Sequence, residues 1–282
     1  MDNKQTMNTK YIAKYEVKGN GKQANELTMI QNNLKMMKDP HGQLKTAYNH
    51  KPAMWQLLKT INTLMFYQGK QVVKGGHLAL ESNACDLYRA CGKRFILKYS
   101  VQATKRLINL LCVAGVIKVL SWEDLTQTER KQTAHKHVYY QCLDLREADF
   151  SRVAGMDYNT ALNYATVATA YGKELADNTF SNINTRTKRE AFDEAGLERF
   201  VEMIVKRGVV SYQDAIDLLK QTQIIDYKDG WYSQSLRALF VMKYFQGRLK
   251  FTTYKRSGGE SLDLDPCAKV ITPAKKFASA CF

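Results

Sequence analysis

Gln102, Lys105, Arg106 and Asn109 recur at i, i+3, i+4 and i+7, a spacing that lines one face of an α-helix with hydrogen-bond donors and no acid. Arginine offers guanine a bidentate match, and asparagine or glutamine offers one to adenine, so this stripe suits the edge pattern of a DNA major groove. Between Asp86 and Glu123 there is no acidic residue but seven basic ones, Arg89, Lys93, Arg94, Lys98, Lys105, Arg106 and Lys118. A neutral surface helix would carry Glu to pair with Lys at i, i+4, so the absence of acids argues for an anionic partner. The pattern returns between Asp229 and Glu260 with Arg237, Lys243, Arg248, Lys250, Lys255 and Arg256, and Gln234 extends its helical face. Two such surfaces in one chain predict two contacts with one duplex.

The other charged residues have positioning roles in this reading. Lys93, Arg94 and Lys98 precede the first helix and are expected to grip phosphate, which places a protein without specifying a sequence. Ser100 is a good N-cap, and the helix end it closes can meet a phosphate through its free N–H groups. In the polar stretch 121–136, Lys131 and Lys136, with Arg130, His135 and His137, are placed to follow an adjacent groove or backbone, though Glu123, Asp124 and Glu129 dilute the charge.

Several elements must hold these residues. Met54, Leu57, Leu58, Ile61, Leu64 and Met65 form a helical stripe begun by Pro52, and a short strand is expected near Gln71 to Val73. A helix around 80–91 follows, ending at Gly92. Ala103, Leu107, Leu110, Leu111 and Ala114 then share one face of a helix stopped at Gly115. Val116 to Leu120 and His137 to Leu145 read as two strands, which completes the layout of a winged helix.

The pattern restarts with Leu197, Phe200, Val201, Ile204 and Val205 before Gly208, and with Ser211 and Asp214 as a capping pair. A helix capped at Ser233 or Ser235 is expected to run to Gln246. A strand from Arg248 to Tyr254 is then expected to turn at Ser257-Gly258-Gly259 into Ser261 to Leu264. The fold class is therefore mainly α (α+β), with two winged-helix domains joined by a helical linker. The expected divisions are a partly flexible arm at 1–47 with a short helix at 26–37, where Leu27, Ile30, Leu34 and Met37 fall at helical spacing, domains at 48–150 and 190–265, a connecting helix and linker at 151–189, and a basic tail at 266–282.

Composition bounds the partners. Across 282 residues, 42 basic against 27 acidic side chains leave a net charge of +15, a field that draws a polyanion and repels acidic protein surfaces. No signal-like segment and no apolar run of about 18 residues is present, so a cytoplasmic protein without membrane contact is expected. The six cysteines show no CxxC spacing and several fall on apolar faces, as buried thiols would in a reducing compartment.

Enzymatic readings find little support. A nucleophilic tyrosine could cut a DNA strand, but a rolling-circle nickase pairs two histidines around an apolar residue, whereas His135 and His137 flank Lys136. That histidine pair beside Cys142 lacks a second ligand pair, so no metal is expected. There is no GxxxxGK[ST] loop and no HExxH, and no catalytic residue or cofactor is assigned.

The run Ser100-Val101-Gln102-Ala103-Thr104-Lys105-Arg106-Leu107, continuing to Leu110-Leu111-Cys112-Val113-Ala114-Gly115-Val116-Ile117, resembles the plasmid replication initiator proteins with tandem winged helices. The helix-to-ribbon unit at 233–264 supports the likeness, which covers about two thirds of the chain in layout. Residues 1–47 do not match the start of such initiators. The resemblance implies sequence-specific binding of double-stranded DNA at origin repeats. It also implies a switch between initiating monomer and repressing homodimer, and recruitment of a host helicase or DnaA-type initiator. A transcriptional repressor or a phage replisome organiser with tandem winged helices would share this layout, and a DNA nicking or joining enzyme stands behind both.

Overall fold

The computed structural model describes residues 21–68, 72–75, 101–121, 123, 127, 130–131, 138–180, 190–224, 229–257 and 264–274. Within them the chain is mainly helical, with two small antiparallel sheets of three strands each, and it divides into two compact units. The first comprises residues up to 159 together with 177–186, and the second comprises 160–176 and everything from 187 on.

The first unit opens with α1 (Gly21–Lys38) and α2 (Gly42–His50), separated by the turn that Pro40 and Gly42 announce. Ile30, Asn33, Met37, Leu44 and Ala47 are buried, so this stretch is part of the unit and not the separate arm expected over 1–47. Residues 1–20 lie outside the described residues. The cause is a polar anchor as much as an apolar one: Asn33 meets Asn62, both with 0% exposure, on α3 (Pro52–Gln68). Pro52 is the first residue of α3, where its missing N–H costs nothing, and Met54, Leu57, Leu58 and Ile61 form its buried stripe.

After β1 (Val72–Gly75), residues 76–100 lie outside the described residues, among them the helix expected near 80–91. Then α4 (Val101–Val113) buries Ala103, Leu107, Leu110 and Leu111 as its spacing requires, and also Ile108, Cys112 and Val113. Each fully buried Leu or Ile stabilises the unit by roughly 1.5–3 kcal/mol. Helix α4 ends in a two-bond cap: Gly115 N–H donates to Cys112 O at 2.9 Å and Val116 N–H to Leu111 O at 3.1 Å. That geometry needs a left-handed residue, and Gly115 supplies it at φ 73°. Strands β2 (Ile117–Val119) and β3 (Val138–Cys142) follow, and β3 lies between β1 and β2, with Val73 opposite Tyr140 and Ile117 opposite Cys142. Burial pushes the Cys112 and Cys142 thiols well above the ordinary range, which keeps them protonated and unreactive.

The second unit contains α5 (Tyr164–Tyr171), α7 (Glu194–Arg207), β4 (Val210–Ser211), α8 (Tyr212–Thr222), α9 (Asp229–Val241), β5 (Leu249–Thr253) and β6 (Lys269–Pro273). The intervening α6 (Lys173–Phe180) carries the division between units after Ala176. Leu197, Phe200, Ile204, Leu219, Tyr232, Leu236, Leu239 and Phe245 make the core, and Ala165 of α5 belongs to it. Thus the connecting helix expected within 151–189 is helical and joins the second unit's core through Ala165, while 181–189 lie outside the described residues. Helix α5 docks on α9 because Asn163, its N-cap, donates from Nδ2 to the buried Ser235 Oγ at 2.7 Å.

Strand order in this unit is β4-β6-β5, with Val210 opposite Ile271 and Phe251 also opposite Ile271. The return strand expected at Ser261 to Leu264 lies, but for Leu264, outside the described residues, whereas the basic tail expected from 266, with fraying from Thr272, instead holds a strand, β6, through Pro273. The sheet's central strand is β6, whose Val270 and Ile271 are fully buried. The second unit extends beyond 265 to at least Ala274, whose N–H donates to Arg248 O.

Candidate nucleic-acid interface

Helix α4 shows solvent only one narrow strip. Lys105 is exposed and Arg106 and Asn109 are half-buried, while neighbouring positions around the cylinder are buried. Gln102 sits on the same strip by position, though its side chain lies outside the described residues, as do Lys93, Arg94, Lys98, Ser100 and Lys136 entirely. Lys131 is exposed.

Arg106 does not project freely. One terminal nitrogen reaches Tyr158 O at 3.5 Å, at the outer limit of a hydrogen bond, and its Nε is buried with no partner among the described residues. The segment that receives it, Met156 to Tyr158, also walls a pocket of about 220 Å³ lined by Lys51, Met54, Leu107 and Leu110. Lys51 Nζ donates to Met156 O; burial lowers the lysine's proton affinity, and Asp157 opposes that shift. The Arg106–Tyr158 contact leaves no signal in the sequence, since it joins residues 52 positions apart without a shared motif.

Helix α9 presents the same strip. Gly230, Gln234 and Arg237 are exposed and Ser233 half-buried, at i, i+4, i+7 and i+3, while Tyr232, Ser235, Leu236 and Leu239 are buried. It starts at Asp229, ahead of the expected caps, because Ser235 is an interior residue. It also stops earlier than Gln246. Lys243 takes the left-handed conformation at φ 61°, with its N–H donating to Phe240 O and Tyr244 N–H donating to Leu239 O, both at 3.0 Å. Lys243 is therefore exposed in the turn after α9 and not on its face.

Arg248 is the predicted contact that the structure redirects. Its guanidinium donates to Glu198 Oε1 at 2.5 Å and lies 5.8 Å from the centre of the Tyr244 ring, tying the turn after α9 to α7. Burial raises the Tyr244 phenol's pKa, with Arg248 acting against it and Glu198 with it. Held this way, Arg248 is a structural clamp. Lys250, Lys255 and Arg256, by contrast, are exposed on β5 and the helical turn Tyr254–Ser257.

The two strips can donate hydrogen bonds and positive charge to a polyanion. Among the described residues no cluster of three His, Cys, Asp or Glu side chains is placed to hold a metal ion. No described helix is long and apolar enough to cross a membrane. No protein-family model, curated protein or solved structure matches the chain.

Proposed function

We propose that the protein binds double-stranded DNA in sequence-specific fashion through two winged helices, and that it initiates replication of a plasmid or other mobile element. One observation carries the reading. In each unit a helix and a short strand come first, and a helix of 13 residues leads into two strands of which the last is central, with α8 standing between the short strand and that helix in the second unit; each 13-residue helix exposes a polar strip free of acids. That is the order in which a winged helix positions its recognition helix, and neither a membrane-surface protein nor an enzyme needs it twice. Lys105, Arg106 and Asn109 act in the first unit, and Gln234 and Arg237 in the second. Lys131, Lys243, Lys250, Lys255 and Arg256 supply backbone contacts. In this reading Arg106 leaves Tyr158 O to reach a base, at little cost because so weak a contact holds it.

A homodimer and host replication proteins, a helicase or DnaA-type initiator, are the proposed protein partners. Selecting bound fragments from random duplex DNA tests the proposal. Directly repeated sites spaced by whole helical turns support an initiator, one inverted repeat supports a repressor, and failure to enrich any sequence removes the specific-binding claim.

A further inference from the structure

The helices α4 and α9 are in register when counted from their caps. Gly115 and Lys243 are the left-handed residues of the same two-bond cap, and both helices have 13 residues. Nine positions before the cap residue stand Arg106 and Gln234, and six before it stand Asn109 and Arg237. The interior agrees with this register, since Ile108 and Leu236, and Leu111 and Leu239, are buried at matching positions. At the two matched surface positions the chemistry is exchanged: arginine then carboxamide in α4, carboxamide then arginine in α9.

We infer that the two helices read half-sites in which guanine and adenine stand in opposite order. This rests on the reading of both helices as major-groove readers. Residues three apart on a helix lie about 4.5 Å apart along its axis, against a base-pair rise of about 3.4 Å, so each pair addresses neighbouring base pairs. Arginine pairs both donors with guanine O6 and N7, whereas the carboxamide of Asn or Gln pairs with adenine N6 and N7. Helix α4 then takes guanine at its earlier position and adenine at the later one, and α9 the reverse. A single DNA word repeated identically cannot satisfy both helices. The longer Gln234 reaches from the earlier position and the shorter Asn109 from the later one, so the two half-sites also differ in how closely the adenine is approached.

A charge-conserving exchange tests this on the full chain. Arg106→Gln with Asn109→Arg gives α4 the order found in α9 and leaves the net charge unchanged, and affinity for random duplex is measured alongside so that any general loss is separated from a change of preference. Both the unaltered chain and the double variant are taken through selection from random duplex DNA, with circular dichroism confirming equal helicity. The expected result is that the variant's site differs in one half-site only, with guanine and adenine exchanged. Its affinity for the original site should fall about ten- to a hundredfold. The reciprocal variant, Gln234→Arg with Arg237→Gln, should alter the other half-site. If the exchanged proteins select the original site, or if the unaltered chain selects half-sites of the same purine order, the inference is overturned while DNA binding stands. If the unaltered chain enriches nothing, the major-groove reading itself falls and the inference with it.

Discussion

Asn33 Nδ2 donates to Asn62 Oδ1 at 3.1 Å, between two side chains that solvent does not reach. Asn33 also donates to Leu143 O at 2.9 Å and accepts from Leu145 N–H at 3.0 Å, so one residue of α1 satisfies groups on α3 and on the chain leaving β3. An apolar side chain could fill the space but not answer these three groups. Asn33→Ala should therefore cost on the order of 3 kcal/mol, because several buried polar atoms lose their partners together. Urea unfolding of the full chain measures it; a loss below about 1 kcal/mol would mean that water reaches the network.

Gly196 allows the second unit to close. A Cβ there would stand 2.1 Å from Thr222 O and 2.9 Å from Asp193 Oδ2, so the first turn of α7 and the end of α8 meet only because the side chain is absent. Gly196→Ala should destabilise by about 1–3 kcal/mol, since backbone must move to admit the methyl group. Thermal unfolding reads the effect, and an unchanged midpoint would show that the two helices separate freely.

Lys243 makes a prediction of opposite sign. At φ 61° it occupies a conformation that suits glycine, as Gly115 does at the matching cap. Lys243→Gly should raise stability by about 1 kcal/mol and at the same time reduce the slope of log affinity against log salt by about one unit. Unfolding and duplex titration on the same preparation check both halves.

Acid should act on the first unit through Asp144 and Asp149. A side-chain hydrogen bond from Arg146 holds the Asp144 carboxyl below the ordinary carboxylate range, and one from Ser151 does the same for Asp149. A carboxyl whose pKa is lower in the folded state stabilises above its unfolded pKa, and that stability disappears as pH falls through the folded value. Asp144→Asn with Asp149→Asn should thus shrink the stability lost between about pH 6 and pH 3. Urea midpoints at the two pH values measure this, and an undiminished loss would place the acid sensitivity elsewhere.

The apolar stripe of α4 was legible because Ala103, Leu107, Leu110, Leu111 and Ala114 obey one local period, and all of them are buried. Gly115 and Gly208 were legible as helix ends for the same reason, each being set by a few neighbouring residues. What escaped is non-local. Strand β6 pairs with β5 across a connection whose strongest turn signal, Gly258-Gly259, points to a nearer partner. The Arg248 clamp depends on Glu198, 50 residues away, so charge alone marked Arg248 as a DNA contact. Lys243 read as a helical residue because Gly247 looked like the stop. Asn33 gave no sign of burial, since a lone asparagine in a polar stretch is ordinary until its partners are known.

The most direct test of sequence-specific reading compares Arg106→Ala with Lys250→Ala on the selected duplex and on random duplex, across a range of salt. Arg106→Ala should lose about 1–3 kcal/mol on the selected site and little on random DNA, whereas Lys250→Ala should weaken both alike and lower the salt slope by about one unit. Equal losses for Arg106→Ala on both duplexes, or no duplex binding by the unaltered chain at low salt, would contradict it.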